Sequence, residues 1–257
     1  MLTGKSLNFG GSPLRPEATG YGTVYMAKLA MEKKLNRSLD GMRCAVSGSG
    51  NVAQFAAEKL IEFNAKVITV SDSNGVLIFD DGMTTEDLEK IMECKNVQRD
   101  RLKSLDGKVK GRYVDGESPW SLEEKYDLAL PCATQNEING DSAKRLLKNG
   151  LIGVFEGANL PTNTEAQQII RDKKDVIYVP GKASNAGGVG VSGLEMSQNA
   201  QRLTWTEEKI DDKLQTMMEN IYTQMENAAG EDGTLEEGAN RAGFIKVAEA
   251  MQELGWV

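Results

Sequence analysis

The sequence predicts an α/β protein built on a doubly wound, mostly parallel sheet, with extra helices at its N- and C-terminal ends. Three observations carry that prediction. The apolar run Cys44–Val46 breaks into Ser47-Gly48-Ser49-Gly50, and beyond Asn51 the residues Val52, Phe55, Ala56, Leu60 and Phe63 recur at helical spacing. A second apolar run, 66–70, follows that helix and leads to Asp72. Further on, the runs 127–130, 152–155 and 176–179 each open into small and polar residues, and amphipathic stretches at 141–148 and 162–171 alternate with them. Strand and helix in alternation imply parallel strands, with polar turns gathered in one crevice outside their carboxyl ends.

Residues 1–16 hold glycines and prolines without periodicity and read as a connection arriving from elsewhere. Pro16 and Glu17 suit the first turn of a helix over 17–36, Pro by its fixed φ and Glu by the positive dipole end. The turn Gly48-x-Gly50-x-x-Ala53 then sits where strand becomes helix. Gly48 allows the tight turn, Gly50 lets backbone approach a pyrophosphate, and Ala53 lets the helix pack on its strand. The first free N–H groups of that helix form an anion site, so the fold expected is a Rossmann-like dinucleotide-binding domain. Residues 75–79 suit a short hairpin strand, and Thr84 with Asp87 opens a helix to about Asn96 as a capping box. The stretch 97–120 is charged and weakly periodic, and reads as helix, loop and a short strand near Tyr113.

Ser184 to Ser192 is too glycine-rich for an ordinary helix start; its small residues suit close approach of backbone and a flat ring, or else a flexible loop. From Trp205 the chain is helical, with Ile210, Leu214, Met217, Ile221 and Met225 as one apolar stripe and Phe244, Val247, Ala248 and Met251 as another. Both stripes are expected in the core, joined by an acidic connection over 226–238. The chain therefore divides into a connection (1–16), a dinucleotide-binding domain (17–204) and C-terminal helices (205–257).

Composition narrows the chemistry. With no histidine in 257 residues, a Ser-His-Asp triad, a Cys-His pair and a histidine metal site are all excluded, so proton transfer falls to Lys, Asp, Glu, Tyr or water. Cys44, Cys94 and Cys132 lie far apart with no metal-binding spacing, which implies reduced thiols and no structural zinc. The net charge of −8 argues against nucleic acid and requires that any anionic cofactor be held by local donors. Without an apolar run of eighteen residues or a signal-like start, no membrane association and a cytoplasmic location are expected.

Asp72 stands where an acidic residue commonly accepts from a ribose 2'-hydroxyl, which points to NAD. Ser71-Asp72-Ser73-Asn74 is nevertheless rich in donors, and Lys95, Arg99 and Arg101 follow. Such a group suits a 2'-phosphate, so NADP stays open beside NAD.

The segments RPEATGYG, SGSGNVA, PCATQNEI, EGANLPT and NAGGVGVSGLEMSQN together resemble the cofactor half of the hexameric glutamate dehydrogenases, most closely their bacterial NADP-type members. The resemblance implies hydride transfer between NADP(H) and the pair L-glutamate and 2-oxoglutarate with ammonia, in a homo-hexamer of two-domain chains. It sets Arg15 and Thr19 at the nicotinamide end, with Thr19 on the carboxamide. Ser49, Asn51 and Val52 are set on the pyrophosphate, and Ser73 with Lys95 on the 2'-phosphate. Ala133 and Gln135, flanking Thr134 in one cofactor-side turn, meet the nicotinamide ribose, while Asn159 meets the carboxamide. Asn185 and Val189 border the reacting carbons, and Ser192 binds the substrate's side-chain carboxylate. The family's catalytic lysine and aspartate belong to a substrate domain that nothing here resembles, so no catalytic residue is expected in this chain. The expectation is an excised cofactor domain, with Met1 added as a start, that binds cofactor without useful turnover. Another amino-acid dehydrogenase and a stand-alone nucleotide-binding module are the competing readings.

Overall fold

Parallel pairing of β1 (Arg43–Val46) with β2 (Lys66–Asp72) on one side and β5 (Leu128–Leu130) on the other forms the centre of the sheet in the computed structural model, which describes residues 2–231 and 233–255. Met1 and the last two residues of the 205–257 segment lie outside the described residues. Seven strands run in the order β4-β3-β2-β1-β5-β6-β7. Here β3 is Gly75–Ile78, β4 Arg112–Asp115, β6 Gly153–Phe155 and β7 Ile177–Val179. Only the β2–β3 and β3–β4 pairs are antiparallel, so the doubly wound, mostly parallel sheet expected from the alternation is what forms. The winding reverses between β1 and β5, where neighbouring loops part and leave a crevice.

Side chains alternate across the strands with period two. Cys44, Val46 and Val67 enter one core layer, while Ala45 and Ile68 enter the other. The first layer is roofed by α1 (Ala18–Leu35) and α2 (Asn51–Glu62), and the second by α4 (Gly140–Lys148) and α5 (Thr164–Arg171). Between β3 and β4, α3 (Thr85–Met92) opens with the expected Thr84–Asp87 capping box. It runs on through a π-helical turn over Glu93–Gln98.

After β7 come α6 (Gly181–Ser184), α7 (Gly187–Gln201), α8 (Glu207–Ala229) and α9 (Leu235–Leu254). The glycines near 187 thus neither break a helix nor make a loop. They let α7 lie directly on α1: a Cβ on Gly187 would overlap Ala18 O. On its other side α1 meets α2 just as closely, because a Cβ on Gly20 would stand 2.5 Å from Ala56 N and 2.7 Å from Val52 O. Van der Waals contact of backbone with backbone on two sides leaves α1 no room to slide.

Two helical expectations change. On α8 the buried stripe is Ile210, Leu214, Met218, Tyr222 and Met225, with Met217 and Ile221 only half-buried against it. On α9 the stripe placed in the core is on the surface, Phe244 being 74% and Val247 59% exposed, Met251 exposed and Ala248 half-buried. The cause is where α9 touches α8: Leu235, Gly238 and Ala239 make the contact near the start of α9, with Gly238 against Met225 O. The larger side chains further along therefore stand clear. No described helix is long and apolar enough to cross a membrane.

Gly20→Ala is expected to cost about 2 kcal/mol by overpacking, lowering the unfolding midpoint by roughly 5 °C. Gly193→Ala in α7, where an added Cβ meets nothing within 4 Å, is expected to raise it slightly through helix propensity. Differential scanning calorimetry of the two variants checks this. Equal midpoints would show that the α1–α2 contact is slack.

Candidate functional site

Local hydrogen bonds hold the strand ends open at the reversal point. Ser47 Oγ accepts from Cys132 N at 2.9 Å, joining the end of β1 to the end of β5. Ser71 Oγ accepts from Gly48 N at 2.9 Å, and Ser71 N donates to Gly48 O at 3.1 Å, joining the glycine turn to β2. Gly48 takes φ 85°, the left-handed conformation that the tight turn needs. Nothing stands within 4 Å of where a Cβ on Gly50 would lie.

The loops surround a crevice of about 630 Å³. Nine of the residues singled out from the sequence line it: Arg15, Thr19, Val52, Ala133, Gln135, Asn159, Asn185, Val189 and Ser192. Gly48, Ser49, Gly50 and Asn51 form the turn and helix start beside it, and Thr134 is exposed in the loop after β5. Asp72, Ser73 and Lys95 gather instead at and just past the end of β2.

Helix capping separates this region from the rest of the fold. The helices α3, α4, α5, α8 and α9 each carry a side-chain N-cap, from Thr84, Asn139, Asn163, Thr206 and Thr234. No side chain caps α1, α2, α6 or α7 at its start, and of these α1, α2 and α7 have residues in the crevice wall. At α2 the first-turn N–H groups and the positive dipole end are therefore free for an anion.

Carboxylates around the crevice are turned inward onto donors. Glu137 Oε1 accepts from Ala133 N at 3.1 Å and Thr134 N at 3.2 Å, and Glu137 Oε2 accepts from Trp120 Nε1 at 2.7 Å. Glu156, 1% exposed, accepts from Tyr178 Oη at 2.8 Å and Gly181 N at 2.7 Å. Burial pushes the Glu156 carboxyl above its ordinary value although those donors pull the other way. Its loop carries Asn159, whose Oδ1 accepts from Asn185 Nδ2 at 2.9 Å. Asp72, the ribose acceptor expected from its position, has both oxygens engaged inside the protein: Oδ1 by Asn74 N and Oδ2 by Leu102 N, each at 2.9 Å. Around it Lys95 Nζ lies 4.0 Å from Asp72 Oδ2, and Arg101 Nη1 donates to Ser73 Oγ at 2.8 Å.

At the opposite edge Arg15 Nε donates to Ser192 Oγ at 2.6 Å, and Thr3 Oγ1 lies 3.2 Å from the same oxygen. One turn along α7 the fully buried carboxylate of Glu195 meets Lys5 Nζ at 2.6 Å and Gly4 N at 2.7 Å. Burial raises its pKa, but those donors outweigh burial and hold the carboxyl below the usual glutamate value. Cys132 lines the crevice as a neutral thiol, since burial first and the nearby Glu137 second push its pKa up.

The sequence reading missed Glu137, Glu156, Glu195 and Gln54. Each acts by fixing backbone or a neighbouring side chain, which leaves no spacing pattern. A faint signal existed in Val154-Phe155-Glu156-Gly157, where a charge ends a wholly apolar strand.

The profile of the family described as Glutamate/Leucine/Phenylalanine/Valine dehydrogenase matches residues 10–255. An NAD(P)-specific glutamate dehydrogenase from Xylanibacter ruminicola is 52% identical over 258 residues, 99% of this chain and 57% of its own length. An NADP-specific glutamate dehydrogenase from Escherichia coli is 48% identical over 257 residues, again 99% of this chain and 57% of its own length. The crystal structure of Plasmodium falciparum glutamate dehydrogenase superposes with TM-score 0.95 at 45% identity, covering 100% of this chain and 55% of that one. The chain thus spans a little over half the length of these relatives.

Glu195→Gln is expected to cost about 2 kcal/mol by removing the charge that Lys5 and two backbone donors address. Because the folded pKa is lowered, the wild-type advantage is complete above pH 4.5, the ordinary glutamate value, and is lost as pH falls through the lowered value. Unfolding midpoints of both proteins at pH values from about 7 to about 3 check this. An advantage that persists undiminished in acid would show that shape, not charge, holds residues 3–5.

Proposed function

The chain belongs to the Glutamate/Leucine/Phenylalanine/Valine dehydrogenase family, and we propose that these residues form its dinucleotide-binding part. They hold NADP(H) while the longer protein interconverts L-glutamate with 2-oxoglutarate and ammonia. The observation that carries this reading is the uncapped start of α2 opening into the same crevice as Thr19, Asn159 and Ser192. The donor set fits the cofactor: free N–H groups for a pyrophosphate, a cation-rich loop past β2 for a 2'-phosphate, and amides where a carboxamide needs them.

In this reading the turn Gly48–Gly50, with Ser49, Asn51 and Val52, holds the pyrophosphate through backbone N–H groups and the helix dipole. Ser73, Lys95 and Arg101 address the 2'-phosphate. Asp72 works indirectly, orienting the loop that carries them, since its oxygens are already engaged. Ala133, Thr134 and Gln135 border the nicotinamide ribose, and Thr19 and Asn159 meet the carboxamide. When bound, the nicotinamide supplies the hydride acceptor or donor. Asn185 and Val189 border the reacting carbons, and Ser192, oriented by Arg15, donates to the side-chain carboxylate of the substrate.

Relatives named NADP-specific and NAD(P)-specific support the cofactor assignment. Residues 17–204 are read as the binding unit, 1–16 as the connection and 205–257 as helices packed on the unit and reaching toward the rest of the longer protein. Proton transfer is assigned to the lysine and aspartate of that other part, and the assembly to a cytoplasmic homo-hexamer.

Calorimetric titration of the purified chain is expected to show NADPH binding at least about tenfold tighter than NADH, or about 1.4 kcal/mol, with no steady-state turnover of glutamate. Arg101→Ala is expected to remove most of that preference. A preference for NADH would overturn the 2'-phosphate assignment, and binding of neither would overturn cofactor binding by these residues alone. In the longer protein Ser192→Ala should impair glutamate far more than norvaline, because only glutamate presents a carboxylate there. Equal losses on both would reassign the substrate.

A further inference from the structure

Lys95 and Arg101 lie on a segment anchored at its far end, where Leu102 N donates to Asp72 and Arg101 to Ser73, and largely exposed before it. The π-helical turn Glu93–Gln98 continues α3 and ends at Arg99, whose φ of 56° is left-handed. Residues 96–101 are all exposed, and only Cys94 of the turn is buried. Lys95 Nζ donates to Asp100 O at 2.7 Å, so the turn partly folds on itself. π-helical turns interrupt regular helices and are frequent at functional sites. The bonds to Asp72 and Ser73 fix the end of the segment; a second link ties the turn itself to the glycine loop.

That link is a reciprocal pair of amides. Gln54, on the second turn of α2, is 1% exposed. Its Nε2 donates to Asn96 Oδ1 at 3.1 Å, and Asn96 Nδ2 donates back to Gln54 Oε1 at 2.9 Å. The same Nε2 donates to Ser49 O at 2.7 Å. One carboxamide therefore holds both the glycine turn and the residue next to Lys95.

We propose that the Gln54–Asn96 pair is a positioning element for cofactor selectivity, setting the register between the pyrophosphate turn and the cations that address the 2'-phosphate. Neither residue need touch the cofactor. Gln54 tethers the π-helical turn through Asn96, and the tethered turn presents Lys95 and, past Asp100, Arg101 at a fixed reach from the start of α2. The inference rests on the NADP(H) reading above. Loss of Asn96 leaves Gln54 on Ser49 O, and so α2 and its anion site intact, but lets the turn drift; it penalises the ligand with a 2'-phosphate and spares the one without.

The test is calorimetric titration of wild type, Asn96→Ala, Lys95→Ala/Arg101→Ala and the triple variant with NADPH and NADH, with thermal midpoints recorded alongside. Asn96 is exposed, so its truncation removes no apolar core contact, and the thermal midpoint reads the cost of leaving Gln54 Oε1 without its donor. Asn96→Ala is expected to weaken NADPH about fivefold, the scale of one lost hydrogen bond, while NADH changes less than about twofold. In the Lys95→Ala/Arg101→Ala background the same substitution should no longer alter the NADPH-to-NADH ratio, because residues that act through one another are non-additive. Equal weakening of both cofactors, or an effect on the ratio that survives without Lys95 and Arg101, overturns the inference. Wild type without a preference for NADPH overturns the cofactor reading and this inference together; a wild-type preference that Asn96→Ala leaves unchanged overturns this inference alone.

Discussion

Backbone lies against backbone where α1 crosses α2 and α7, and the geometry of the crevice depends on that contact. Gly20 sets the first crossing and Gly187 the second. Arg15 lies in the turn just before α1 and Thr19 in its first turn, Val52 at the start of α2, and Val189 and Ser192 on α7, so three walls of the crevice are registered through one helix. Packed interiors have discrete arrangements and little compliance. The spacing between the glycine turn and the Arg15–Ser192 edge is therefore a property of the core and is not left to the loops.

A chain of net charge −8 proposed to receive an anionic cofactor needs its negative groups kept out of the way. Here they are used as internal acceptors. Asp72 at the end of β2, and Glu137, Glu156 and Glu195 near the crevice, each accept from at least one backbone N–H, which orders the loops there. What faces the crevice and its far end is then a set of donors: an uncapped helix, amides, Arg15, Lys95 and Arg101. In low-dielectric surroundings such fixed local dipoles outweigh the diffuse field of distant, solvent-screened carboxylates.

Much of this was legible in the chain. The strand, glycine turn and helix around Gly48, the hairpin after Asp72, the capping box at Thr84 and the later strands are local patterns, and local patterns decide local structure. The start of α7 was not legible, because its glycines serve contact with α1, which is distant in sequence. The surface position of Phe244 and Val247 was missed for a related reason: periodicity shows that a helix has an apolar face but not whether anything lies against it. The inward-turned carboxylates were invisible as site residues because their partners are backbone groups, which every sequence contains, and side chains distant in sequence, such as Lys5 for Glu195 and Tyr178 for Glu156. Asp72 is the instructive case, since its place in the chain pointed to a ribose while its partners are Asn74 and Leu102.

The uncovered face of α9 bears on how these residues behave in solution. Phe244, Val247, Met251 and Leu254 recur along one side of the helix, and all are exposed. Between copies of the chain that apolar face attracts, while the excess of 38 acidic over 30 basic side chains repels. The balance is set by ionic strength: dilute buffer keeps copies apart, and concentrated salt, which shortens the Debye length to about 3 Å at 1 M, lets the stripes meet. The salt sensitivity of the protein in solution is thus set in part by the surface of α9.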